Sequence, residues 1–174
     1  MDWNQAIFSV VSLHTFSNVW YWLAVAVTWS VASHWILGVP FDMVFRAKRH
    51  GGDAMDDLEL IVAVNLRRMT PILDVAGLWM AGLGSFILSV LFLVGFYYGF
   101  EFAQGVFLLG FPLSIATVMN FRLCRRFSQK LPQGELLTRT LIRTRFWIQV
   151  IAMLSIFLTS LYGMFRILSL PVGF

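Results

Sequence analysis

"PILDVAGLWMAGLGSFILSVLFLVGFYYGFEFAQGVFLLGFPLSIATVMNF", residues 71–121, decides the fold class of this chain. It contains two apolar runs, 71–97 and 102–121, and each is long enough to cross a bilayer as a helix of about 20 residues. Only the short segment "YYGFE", residues 97–101, connects them. Because such a short connection forces two helices to lie side by side, we expect an antiparallel pair of transmembrane helices.

Two further apolar runs, 19–39 and 146–168, have the length of a membrane span. The whole chain is 59% hydrophobic and 16% aromatic, and its 13% of charged residues is about half of the roughly 25% found in soluble domains. We therefore predict an all-α polytopic protein, a single integral membrane domain over residues 1–174 with four transmembrane helices.

The basic residues are segregated along the chain. All but one of the 13 Lys and Arg residues lie in the connections between runs one and two and between runs three and four; the exception is Arg166. Because Lys and Arg are retained on the cytoplasmic side, both termini should be periplasmic. We expect anionic lipid, and no nucleic acid, to bind these charges, and the candidate lipid ligands are Arg125, Arg126, Arg139, Arg143 and Arg145.

The two cytoplasmic connections have helical patterns of their own. "DAMDDLELIVAVNLRRM", residues 53–69, has Asp53 as a candidate N-cap and apolar residues at helical spacing, so we expect an amphipathic helix on the membrane surface or against a partner. "FDMVFRAKRHGG", residues 41–52, resembles the end of a helix, and "ELLTRTLIRTRFW", residues 135–147, predicts a basic helix leading into the fourth span.

Small residues recur every four positions in the second span. This pattern lets another helix approach closely, and the first span carries a matching stripe that includes Ser30 and Ser33. We therefore predict that spans one and two pack together along these faces. The stripe of the second span consists of Gly77, Ala81, Ser85 and Ser89.

Ionisable residues inside spans are candidates for function because an unpaired charge there is costly. His34 and Asp74 lie at similar depths near the cytoplasmic ends of the first two spans, and we predict that they hydrogen-bond across the helix interface with Ser30 or Ser33 as further partners. The pair could act as a packing clasp or as part of a proton path. Pro112 should kink the third span, with either a structural or a gating role.

No pattern in the chain predicts a catalytic, cofactor or metal site. A single cysteine, Cys124, provides neither a disulfide nor a Cys/His zinc set. The acidic cluster Asp53, Asp56, Asp57 and Glu59 is explained by the start of a helix, where carboxylates are favoured.

The stretches "FSNVWYWLAVAVTWSVASHWILGVPFDMVFRA" and "GFYYGFEFAQGVFLLGFPLS" resemble small inner-membrane proteins of alphaproteobacteria. Some of those proteins are labelled as components of a Suf-type iron–sulfur assembly complex. The resemblance implies a bacterial inner membrane and transfers no catalytic residue. Iron–sulfur scaffolds bind their clusters through several cysteine thiolates, and this chain has a single cysteine.

These observations favour a non-enzymatic inner-membrane subunit, either an accessory or assembly factor of a larger membrane complex or a homo-oligomer. The alternative is a small channel or transporter component with His34 and Asp74 near a polar path. A membrane enzyme or cofactor-binding subunit is the third hypothesis.

Overall fold

The computed structural model describes residues 15–169, so the predicted location of the two termini lies outside the described residues. The described part of the chain is helical apart from a short β-hairpin, which confirms the all-α fold class. A 3-10 turn, Thr15–Ser17, precedes the first helix. The elements are α1 (Val19–His34), β1 (Trp35–Ile36), β2 (Val39–Pro40), α2 (Phe41–His50), α3 (Asp53–Phe92, continued by a π-helical turn over Leu93–Tyr97), α4 (Glu101–Gln129) and α5 (Glu135–Ser169).

The first helix is shorter than the predicted span 19–39. It ends at His34, and the chain then forms the hairpin in which Trp35 pairs with Pro40 and Ile36 with Val39. Leu37 and Gly38 both have positive φ angles, 53° and 72°, as a two-residue hairpin turn requires. Hydropathy alone missed this break because the hairpin residues are as apolar as a helix, and Ile36 and Val39 are buried within the protein.

The third helix is longer than predicted. The expected surface helix 53–69 and the expected span 71–97 form one continuous rod, with Pro71 inside it. The predicted boundary between two helices at Pro71 is wrong. A proline removes only one backbone donor, the partner of the Arg67 carbonyl, and Leu66 and Leu73 on either side of it are both buried. The apolar face of 53–69 packs inside the protein, against α2 and in one core with buried residues of α4 and α5, instead of on a membrane surface.

The protein has two parts. We call the cap the β-hairpin, α2, residues 53–70 of α3, residues 122–129 of α4 and residues 135–145 of α5. Its centre contains Leu58, Val62, Leu137 and Leu141, each fully buried, with Cys124 among them. The cap thus has a closely packed hydrophobic core of the kind found in soluble proteins.

The remainder, which we call the membrane half, comprises α1, residues 71–97, 101–121 and 146–169. Within residues 15–169, three helices are long and apolar enough to cross a membrane, within Asp53–Tyr97, Glu101–Gln129 and Glu135–Arg166. At about 1.5 Å per residue the 45 residues of Asp53–Tyr97 extend about 67 Å, more than twice the roughly 30 Å of a hydrocarbon core. The rod therefore has to leave the membrane, and its first turns belong to the cap.

Candidate functional site

The second and third predicted spans are in close contact at the ends that lie away from the cap. A β-carbon added to Gly95 would lie 2.9 Å from the backbone nitrogen of Gln104, so only glycine allows this approach. The Gln104 side-chain amide donates to the Gly95 carbonyl at 2.7 Å, and both residues are buried. The predicted antiparallel pairing of these helices is confirmed, since α3 and α4 also touch within the cap, where the Thr70 and Ser128 hydroxyls are 2.7 Å apart.

Between these two contacts, α3 and α4 leave a lateral groove, which we call the α3–α4 groove. Its volume is about 500 Å³. The small residues Gly77, Ala81 and Ser85 line it from α3, while the Ser89 hydroxyl donates to the Ser85 carbonyl of its own helix. The rest of the lining includes Gly84, Leu88, Gly110, Leu113, Ser114 and Thr117.

The predicted packing of spans one and two along this stripe is wrong. The first helix, α1, packs mainly against α5 and α4, with Val25 and Trp29 buried there. The small-residue stripe of α3 faces α4 instead. A four-residue repeat of small residues does not say which helix lies beside it.

His34 and Asp74 lie at the junction of the cap and the membrane half. His34 is the last residue of α1 and is half-buried, and Ser33 beside it is also half-buried. Asp74 and Ser30 are exposed, and the neighbour of Asp74 in α3, Leu73, is the residue that points into the core. The pairing of His34 with Asp74 stays a prediction.

Pro112 lies within α4, which is continuous from Glu101 to Gln129. A proline at this position leaves the carbonyl of Leu108 without its helical donor. The Ser155 hydroxyl of α5 points at that carbonyl from 3.4 Å, and Ser155 is buried. In a membrane, where water cannot satisfy a freed backbone group, a neighbouring hydroxyl is the usual substitute. Pro112 therefore contributes an attachment point between α4 and α5.

The five candidate lipid-binding arginines separate into three environments. Arg126, Arg139 and Arg143 line one groove between α4 and α5. The Arg145 guanidinium instead lies over the Phe41 ring, 3.8 Å from its centre, and so attaches α2 to α5. Arg125 reaches toward α3 instead, where its guanidinium would lie 3.8 Å from a β-carbon on Gly77.

Two hydrogen bonds that the sequence did not predict connect distant parts of the cap. The Glu59 carboxylate accepts a hydrogen bond of 2.6 Å from the backbone nitrogen of Gly134, immediately before α5. Asn65 donates to the Gly38 carbonyl at 3.1 Å and so holds the hairpin turn. Both contacts join residues far apart in the chain, and the only sequence signals were the two glycines, each of which has a positive φ angle.

The chemistry that these groups could perform is limited. Within residues 15–169, no three His, Cys, Asp or Glu side chains are grouped so that they could hold a metal ion. Cys124 is fully buried in the cap core, which removes its thiol from solvent. The described chain does have two lateral grooves whose linings suit a ligand or partner, one lined by small residues and one by arginines.

Comparison of the chain with protein-family models, curated proteins and solved structures finds no match. The resemblance to alphaproteobacterial inner-membrane proteins therefore stays a prediction.

Proposed function

We propose that this protein is a non-enzymatic membrane subunit that assembles with a further transmembrane helix through the α3–α4 groove. That helix belongs either to a second copy of the chain or to a larger membrane complex. One observation carries the proposal: in the most apolar 18 residues of α3, no residue is buried within the chain. The same helix carries the best small-residue face of the protein.

The physical argument is that lipid solvates leucine as well as another leucine does, so apolar exposure alone does not drive helix association in a membrane. Helix association in a membrane is driven instead by close approach of the two backbones and by interhelical hydrogen bonds. The groove provides both, since nothing lies within 4 Å of a β-carbon built on Gly84. The hydroxyls of Ser114 and Thr117 donate to carbonyls of their own helix and keep lone pairs for a donor on the partner.

We further propose that α1 is a fourth membrane crossing. At its start the Tyr21 hydroxyl donates to the Gly105 carbonyl, and beyond its end the hairpin accepts a hydrogen bond from Asn65 in the cap. Those two contacts lie close to the ends of the stretch of α4 from Gly105 to Ser128, which measures about 35 Å at about 1.5 Å per residue. A 16-residue helix followed by a hairpin therefore covers a bilayer's thickness.

The orientation and compartment belong to the same proposal. The cap side carries every Lys and Arg except Arg166, so the retention of positive charge in the cytoplasm supports a cytoplasmic cap and outer termini. The bacterial inner membrane is supported by the resemblance of residues 16–47 and 95–114 alone.

The transport alternative has less support. It relied on a broken third span and on a polar path from His34 and Asp74. Helix α4 is continuous through Pro112, the freed Leu108 carbonyl has Ser155 as its partner, and Asp74 lies on an exposed face of α3. These features favour a static scaffold over a moving gate.

The test is to block the groove without disturbing the fold. Replacing Gly84 with Leu fills the α3–α4 groove, and Gly82→Leu is the matched control, since Gly82 is exposed on the same helix and is not a lining residue. After purification in mild detergent, native mass spectrometry should show that the wild type and Gly82→Leu retain a second chain. In Gly84→Leu, the fraction of protein that retains the second chain should fall at least tenfold. A wild type that is a lone monomer, or equal loss in both variants, would overturn the proposal.

A further inference from the structure

A groove between α4 and α5 is lined by three arginines, Arg126, Arg139 and Arg143. Its volume is about 440 Å³, and a second cavity of about 480 Å³ adjoins it, sharing Arg126, Leu136 and Thr140 in its lining. The second cavity adds Lys130 from the loop between the two helices. We call the two together the arginine groove; the first cavity is lined by Met119, Leu123, Arg126, Leu136, Arg139, Thr140, Arg143, Thr144 and Trp147.

The chemistry of this groove changes along its length. On α5, Arg139, Arg143 and Trp147 follow one another at four-residue intervals and so lie on one face, about 6 Å apart per turn. On α4, which runs the other way, Arg126 is at the cap end and Met119 is two turns toward the membrane. Guanidinium groups therefore occupy the cap end of the groove, and Met119 and Trp147 occupy the membrane end.

The positive charge is only partly compensated by the protein. Among the described carboxylates, Glu135 alone pairs with these arginines, with its Oε1 atom 2.8 Å from Arg139. Both partners are largely exposed, so this pair is a weak one. Arg126 and Arg143 keep their charge for another anion, and a guanidinium can hold a phosphate through two hydrogen bonds.

The depth of the groove identifies the source of the anion. Trp147 begins the long apolar part of α5, and tryptophan prefers the level of the lipid headgroups. The arginines then lie one and two turns beyond it, where the phosphates of a bilayer are found. A soluble anion or a nucleic acid would bind the arginines but would not contact the apolar side chains of Met119 and Trp147.

We propose that the arginine groove is a binding site for one anionic phospholipid. Arg126 and Arg143 bind the phosphate, Thr140 and Thr144 bind polar groups of the headgroup, and an acyl chain lies along Met119 and Trp147. This site is separate from the α3–α4 groove, because Met119, Leu123 and Arg126 are not among the α4 residues that line the latter. The inference therefore does not rest on the proposed assembly role.

The experiment is a lipid titration on the full-length protein in a neutral detergent. The probes are short-chain phosphatidylglycerol, short-chain phosphatidylcholine and inorganic phosphate, and bound lipid is counted by native mass spectrometry. The test variant is Arg126→Gln with Arg143→Gln. The control is Arg67→Gln with Arg68→Gln, which removes the same charge from exposed positions on α3.

We expect one phosphatidylglycerol to bind the wild type and the control with similar affinity. The test variant should bind about 10- to 30-fold more weakly, as an arginine near an anionic headgroup contributes about fivefold. Three results would overturn the proposal: equal weakening in both double variants, equal binding of phosphatidylcholine, or full displacement by millimolar inorganic phosphate. Unchanged thermal unfolding of the test variant establishes that it is folded. If it unfolds, Arg143→Lys replaces it and should still weaken binding.

Discussion

The cap and the membrane half bury their apolar side chains to very different extents. In the cap, Leu58, Leu137 and Leu141 are completely shielded. In the membrane half, the most apolar stretch of α3 has no buried residue, and that of α5 is only 28% buried. Water forces the cap to build a core, whereas lipid solvates the apolar surface of the other half and leaves it free to meet a partner.

The largest effect should come from a cavity in the cap. Leu141→Ala removes a fully buried side chain and should lower the free energy of unfolding by about 2–5 kcal/mol. Leu154→Ala, on the same helix but 56% exposed in the membrane half, should change it by less than about 0.5 kcal/mol. Both are measured by denaturant titration in detergent. Equal losses would contradict the division into a packed and an open half.

A second change probes a place where the membrane half is tightly packed. Gly95→Ala puts a β-carbon against the Gln104 backbone and should cost about 1–3 kcal/mol, because backbone cannot move aside cheaply. Gly82→Ala is the control, since a β-carbon there meets nothing within 4 Å. If thermal unfolding shows the two variants to be equally stable, α3 and α4 do not touch at Gly95.

The smallest effect concerns a single hydrogen bond in the membrane half. Ser155→Ala removes the donor to the Leu108 carbonyl and should cost about 0.6 kcal/mol, the average for such bonds between membrane helices. Ser160→Ala, at an exposed position of α5, is the matched control and should have no effect. Adding Pro112→Ala, which restores the helical donor, should abolish the cost of Ser155→Ala. A cost that persists would show that the hydroxyl does not serve this carbonyl.

The candidate sites were only partly predictable. That the five arginines bind anionic lipid stays a prediction, and their separation could not be predicted, since it depends in part on the position of α2, which brings Phe41 under Arg145. The small-residue stripe was identified as a packing face, but its neighbour was not. The contacts of Ser155 and Glu59 carried no sequence signal, because a serine within a helix, or a glutamate near its start, has the same local pattern whether or not it reaches another element.

The sequence by itself determined that the chain is helical, that it enters a membrane, that residues 71–121 form a pair of antiparallel helices and that positive charge is concentrated on one side. These properties follow from the local length of apolar runs and the local placement of charge, which directly determine how a segment inserts into a bilayer. The tertiary structure alone decided that α1 ends at His34, that α3 continues through Pro71 and that three arginines share one groove. Each of those outcomes depends on contacts between distant residues, such as Asn65 with Gly38, which no local pattern encodes.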